Sequence, residues 1–224
     1  MSPRPPTDQP RVAGSLRVVA ALLLVVLAAP ATFAQQSDDL LFAVVNDRGS
    51  LVKELLVKGV DPNAADAKGE PVLLIAARNN SAAAVDALLA GGAKVNARNP
   101  FGDTALMTAA LVGNIDIAKK LRQRGAELEG PGWTPLIYAA TGGHEAMIAY
   151  LLAEGANINA VSPNGTTALM MAIREGKGPV AMQLMVKGAD VNKRNQNGAT
   201  ALSWAIRGNE KAIAAALQRA GATE

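Results

Sequence analysis

The chain has no cysteine among its 224 residues, and it has one histidine. The first absence excludes disulfides, cysteine-ligated zinc, thiol catalysis and a lipid-modified cysteine. The second excludes a multi-histidine metal site, because His144 alone cannot supply one. Neither a G-x-x-x-x-G-K-S/T phosphate loop nor an H-E-x-x-H zinc-protease motif occurs. No basic stripe is interleaved with aromatics, so nucleic acid is not an expected partner. Aromatics are only 3% of a composition that is half apolar, so the core must be built from small and aliphatic side chains. The longest apolar run, Val18 to Ala29, is 12 residues, short of the roughly 20 needed to span a bilayer.

That run has the form of an export signal. Arg4, Arg11 and Arg17 precede it, Pro30 breaks it, and Thr32 and Ala34 put small residues at −3 and −1 of a cleavage site after Ala34. Residues 1–34 are therefore expected to be a signal peptide, with a retained membrane anchor as the alternative. The form of the leader points to the periplasm. Cleavage would take away three of the 22 basic residues and one of the 19 acidic ones, lowering the net charge from +3 to +1.

Beyond the leader the chain is periodic. The clearest stretch is GWTPLIYAATGGHEAMIAYLLAEGANINA, from Gly132 to Ala160. Thr134 suits an N-cap and Pro135 the first helical position. Gly142 and Gly143 break the first helix, a second begins near His144, and Gly155 ends it. Neither helix is long enough to persist alone. Leu136 belongs to a column with Leu40, Leu73, Leu106, Leu169 and Leu202; Ala139 to one with Ala43, Ala76, Ala109, Ala172 and Ala205. Leu151 aligns with Leu55, Leu88, Leu121, Leu184 and Leu217, and Gly155 with Gly59, Gly92, Gly125, Gly188 and Gly221. The spacing is 33 residues throughout, except for 30 between the third and fourth copies.

A turn and two helices every 33 residues is an ankyrin period. The chain resembles ankyrin repeat proteins in G-W-T-P-L, G-H and G-A-N-I-N of this copy, and more weakly in G-D-T-A-L, G-T-T-A-L and G-A-T-A-L. The resemblance implies an all-α solenoid of about six helix-turn-helix repeats with short β-hairpin fingers. The domain would occupy residues 35–224, with repeats at about 38–63, 64–96, 97–129, 130–160, 161–192 and 193–224. The terminal repeats, with Asp38, Asp39, Lys53 and Glu54 in the first and Glu210, Lys211, Gln218 and Arg219 in the last, are expected to be polar caps. The resemblance also implies that Asn63, Asn96, Asn159 and Asn192 close the fingers. His144 stands at the G-H position, where a structural role is expected. The histidine usual after T-P-L is replaced by Leu74, Met107, Ile137, Met170 and Ser203, so that hydrogen-bond ladder is missing.

The short interval is local: Gly125 to Gly132 is seven positions, against ten for Gly92 to Gly102 and Gly155 to Gly165. One finger is therefore stunted, and it lacks the asparagine. The simpler reading is a tolerated deletion in a surface loop. The functional one is a notch that admits part of a partner. Phe101 and Trp133 flank it at positions expected to be exposed. With Leu111 and the aligned Arg78, Arg174 and Arg207, they are the expected partner-binding residues, since aromatics and arginines dominate interface energetics. Tyr138 and Trp204 share a column with Phe42, Ile75 and Met171 and are expected in the core. The functional expectation is a non-catalytic, monomeric protein-binding module in the periplasm, with no cofactor and no metal. An exported effector acting on a host protein and a small-ligand or enzymatic protein are the alternatives.

Overall fold

The computed structural model describes residues 35–223, so the expected signal segment lies outside the described residues. Twelve helices form six antiparallel pairs: α1 (35–45) with α2 (Gly49–Val57), α3 (Val72–Arg78) with α4 (Ala82–Ala90), and α5 (Ala105–Val112) with α6 (Ile115–Gln123). The next pairs are α7 (Pro135–Gly142) with α8 (Glu145–Ala153), α9 (Ala168–Arg174) with α10 (Gly178–Val186), and α11 (Ala201–Arg207) with α12 (Lys211–Arg219). The odd-numbered helices stack into one row and the even-numbered into another. The described part is thus an all-α solenoid, and β pairing in it is confined to the isolated antiparallel bridges Ala65–Pro71 and Val161–Thr167.

Local chemistry sets each helix start. Thr104, Thr134, Thr167 and Thr200 accept from the backbone N–H groups of Met107, Ile137, Met170 and Ser203. Each bond satisfies one amide that the helix itself leaves open. Pro71 holds this position in the second repeat and gives no side-chain cap. At Met107 and Ser203 the replaced histidine position completes a reciprocal box: the Met107 sulfur accepts from Thr104 N–H and the Ser203 hydroxyl from Thr200 N–H. The turn within each pair places one residue in the left-handed region, and that residue is Asp47, Asn80, Gly113, Gly143, Gly176 or Asn209. These are the residue types that tolerate positive φ.

Packing follows the columns. The six column alanines of the first helices are completely buried, and the two leucine columns are buried along the whole array. Alanine lets adjacent first helices approach closely. Each leucine then removes enough apolar surface from water to contribute about 1.5–3 kcal/mol. A helix pair of this size cannot bury that surface alone, so stability is shared between neighbours.

The structure corrects the role of the asparagines. They do not close their own fingers; they bond to the next repeat. Asn63 Oδ1 accepts from Lys94 N–H at 2.8 Å, Asn96 from Glu127 at 3.0 Å, Asn159 from Asp190 at 2.8 Å and Asn192 from Thr223 at 2.9 Å. The stunted finger does not interrupt this ladder. Glu129 Oε1 accepts from Asn157 N–H at 2.9 Å, the equivalent amide of repeat 4. The fingers themselves are closed by another column. Asp66 accepts from Lys68 and Glu70 N–H, Asn99 from Phe101 and Asp103, and Asn195 from Asn197 and Ala199; the Ser162 hydroxyl accepts from Thr166. Short acceptors one and two residues behind a turn do this readily.

The ends are less polar than expected. Asp38, Asp39, Lys53 and Glu54 are exposed as a cap requires, but so are Phe42 at 52% and Ile206 at 48%. Phe42 is therefore not core; the Arg48 guanidinium sits 5.1 Å over its ring instead.

Candidate protein-binding face

The last turns of the first helices and the adjoining fingers form one face. The column Arg78, Leu111, Thr141, Arg174 and Arg207 runs along it, and all but the half-buried Thr141 are exposed. Sequence spacing placed these side chains on one face; their surroundings differ. Both terminal nitrogens of Arg78 donate to the carboxylate of Glu70, on the neighbouring finger. That bidentate pairing neutralises its charge. Arg174 approaches Glu175 no closer than 3.5 Å, at Nε, without a hydrogen bond, and Arg207 has no ion pair among the described residues.

The notch is lined by aromatics in different states. Phe101, at the tip of the finger before it, is 88% exposed. Trp133 is half-buried rather than exposed, packed at 5.9 Å and 51° against the Tyr138 ring. Tyr138 in turn donates its hydroxyl to Asp103 Oδ1 of the preceding finger at 2.5 Å. Burial first, and then the bond to Asp103, push the Tyr138 phenol well above its ordinary pKa. Asp103 also accepts from Asn99 Nδ2 at 3.2 Å, so the finger that carries Phe101 is tied to the repeat beyond it. Tyr138 is half-buried rather than core, flanked by the Trp133 ring and held at its hydroxyl by Asp103.

Leu111 and Val112, in the last turn of α5, are exposed at 38% and 42%. The backbone beneath them is fixed by His144, whose Nε2 lies 2.9 Å from the Leu111 carbonyl oxygen. A carbonyl only accepts, so Nε2 carries the proton. The absence of a Cβ at Gly142 makes room: one added there would lie 2.4 Å from Leu111 O and 2.5 Å from the His144 ring. The G-G-H motif is thus a splice between repeats 3 and 4, and the histidine is structural.

Towards the C-terminal end the face deepens into a cavity of about 450 Å3 lined by Ile173, Arg174, Asn195, Asn197, Trp204 and Arg207. Trp204 is half-buried and forms its wall, whereas Ile75 and Met171 of the same column are buried. Sequence reasoning placed Trp204 in the core and missed this cavity; the arginine column pointed at its rim but not at its wall. Arg174 and Arg207 are brought together here. The Phe101 finger and Trp133 are linked through Asp103 and Tyr138, Leu111 lies at the other end of α5, and Arg78 stands apart, held by Glu70.

Among the described residues, no three His, Asp or Glu side chains are grouped to hold a metal, and no helix is long and apolar enough to cross a membrane. What the fold defines is a helical repeat protein with an extended, irregular surface along its fingers and first helices. A family model described as "Ankyrin repeats (3 copies)" matches residues 40–131, 126–195 and 146–223. Those matches span nearly all of the described chain, and the protein belongs to the ankyrin repeat family. No curated protein matches it. Ankyrin repeats are protein–protein interaction modules, typically without catalytic activity, and a protein partner is what this family membership supports.

Proposed function

We propose that the mature chain is an exported, periplasmic, monomeric binding module that holds a protein partner on its finger face, centred on the notch. The observation that carries this reading is Phe101, 88% exposed on a finger whose backbone is fixed by Asn99 and tied through Asp103 to Tyr138. A large apolar ring held rigidly in water loses little entropy on binding and gains its full burial. Trp133 offers its open edge on the adjacent finger, Leu111 and Val112 add exposed apolar surface in the last turn of α5, and Arg78, Arg174 and Arg207 extend the face in both directions. The residues that interrupt the repeat would then serve recognition, while those that keep it serve stability. The export signal in residues 1–34 supports the periplasmic assignment, and a retained anchor would leave the same face available.

The test is crosslinked affinity purification of the mature protein from a periplasmic fraction. Phe101→Ala should reduce capture of the partner without changing stability by more than about 0.5 kcal/mol, as expected for an exposed side chain. Adding Trp133→Ala should abolish capture, at a stability cost of about 1–2 kcal/mol for the lost ring contact and partial burial. Full capture by the folded double variant refutes the placement. Recovery of the protein only from the medium refutes the periplasmic assignment.

A further inference from the structure

We infer that the cavity between repeats 5 and 6 recognises a carboxylate of the protein partner, borne by an acidic side chain or by a chain terminus. The inference rests on the reading of this face as the partner surface, and it specifies the partner's chemistry at one point of it.

The lining is rich in donors and holds no acid. Arg174 and Arg207 stand at the same position of successive repeats and share the cavity. Arg174 comes no closer to Glu175 than 3.5 Å, at Nε, and makes no hydrogen bond among the described residues, and Arg207 forms no ion pair among them. Asn195 already uses Oδ1 on two backbone amides, so its Nδ2 is the group left to offer. Guanidinium groups pair with carboxylates in a planar, two-bond geometry that a lysine cannot reproduce. Trp204 and Ile173 give the same space an apolar wall, suited to the aliphatic or aromatic side chain beside the acid.

Arg78 shows why position alone is not enough. It stands in the same column, but Glu70 occupies both of its terminal nitrogens, so the protein itself supplies the carboxylate there. In repeats 5 and 6 the residues aligned with Glu70 are Thr166 and Ala199. The acceptor is missing from the chain at the place where the donors converge. The exposed ring of Phe101 and the open arginines at the C-terminal end also give the face a direction: a partner would set an apolar anchor near Phe101 and its acid near Arg207.

The test uses Trp204 fluorescence in a Trp133→Phe background, titrated with three acetylated hexapeptides. The first, Ala-Phe-Glu-Asp-Leu-Ala amide, carries side-chain acids. The second, Ala-Phe-Gln-Asn-Leu-Ala amide, carries none. The third is the second with a free C-terminus. At least one carboxylate peptide should bind about tenfold more tightly than the uncharged one. Which of the two does so identifies the source of the carboxylate. Arg174→Gln with Arg207→Gln should erase that preference, added salt should weaken it, and Lys187→Gln, at the exposed end of α10 in the other helix row, should leave it unchanged. Equal affinity for all three peptides, or a preference that survives the double arginine change, overturns the inference. Failure here is separable from failure of the notch. If Phe101→Ala reduces partner capture while the double arginine variant captures fully, the carboxylate site falls and the notch stands. If the peptides discriminate through Arg207 while Phe101→Ala changes nothing, the site stands and the notch falls.

Discussion

Gly142→Ala tests how tightly repeats 3 and 4 are spliced. Taken alone, alanine in place of a helical glycine stabilises a helix by about 1 kcal/mol. Here the new Cβ would lie 2.4 Å from the Leu111 carbonyl oxygen and 2.5 Å from His144 Cδ2, where ordinary contact begins at 3.4 Å. The His144 ring can swing away, at the cost of its bond to Leu111, worth about 0.5–1.5 kcal/mol. The Leu111 oxygen is backbone at the end of α5 and can retreat only if the two repeats separate. Overpacking of that kind costs about 1–3 kcal/mol. The balance is a net loss of about 2 kcal/mol, a fall of about 0.7–1 M in the urea midpoint at an m-value of about 2–3 kcal/mol/M. Amide exchange should rise along α5 and α7. Adding His144→Ala should not rescue stability, because the clash with backbone remains. Gly208 stands at the same repeat position in the sixth copy, where a Cβ would meet nothing closer than 3.3 Å. Gly208→Ala should therefore be neutral or slightly stabilising. A Gly142→Ala protein as stable as the parent would refute the splice.

Two further predictions concern the bonds between repeats. The Tyr138 phenol has its pKa raised above 10.0, by burial and then by Asp103, so the folded state keeps this proton longer than the unfolded chain does. Stability is full below about pH 10 and falls as pH rises through the folded value; Tyr138→Phe should flatten that alkaline loss, and identical urea midpoints in both proteins relative to their neutral values between pH 9 and 11.5 would refute it. Glu129→Ala should cost about 0.5–1.5 kcal/mol and speed exchange of the Asn157 amide, while Glu129→Gln, which keeps an acceptor oxygen, should restore protection. Equal exchange in the two variants would show that the ladder is broken at the stunted finger.

Phe101 and Leu111 could be placed from sequence because exposure at a finger tip and at a helix's outer last turn follows from repeat position. Trp133 and Trp204 could not, because their burial depends on what the adjacent repeat supplies. The missing finger residues leave Trp133 to fold down onto Tyr138. Trp204 lies at the last repeat described, where it stays half open while Met171, one repeat earlier, is buried.

The sequence by itself determined the period, the helix pairs, the Thr134 cap, the leucine and alanine columns and the site of the deletion. All of these rest on interactions within a few residues or on a spacing that repeats. Only the tertiary structure decided which arginine is neutralised, which aromatic is open, and that Glu129 carries the asparagine ladder across the gap. The aromatic and the ladder depend on side chains meeting groups 35 and 28 residues away in a neighbouring repeat, and the arginine on Glu70 reaching it from the finger of the same repeat, a contact set by how finger and helix are oriented and not by spacing.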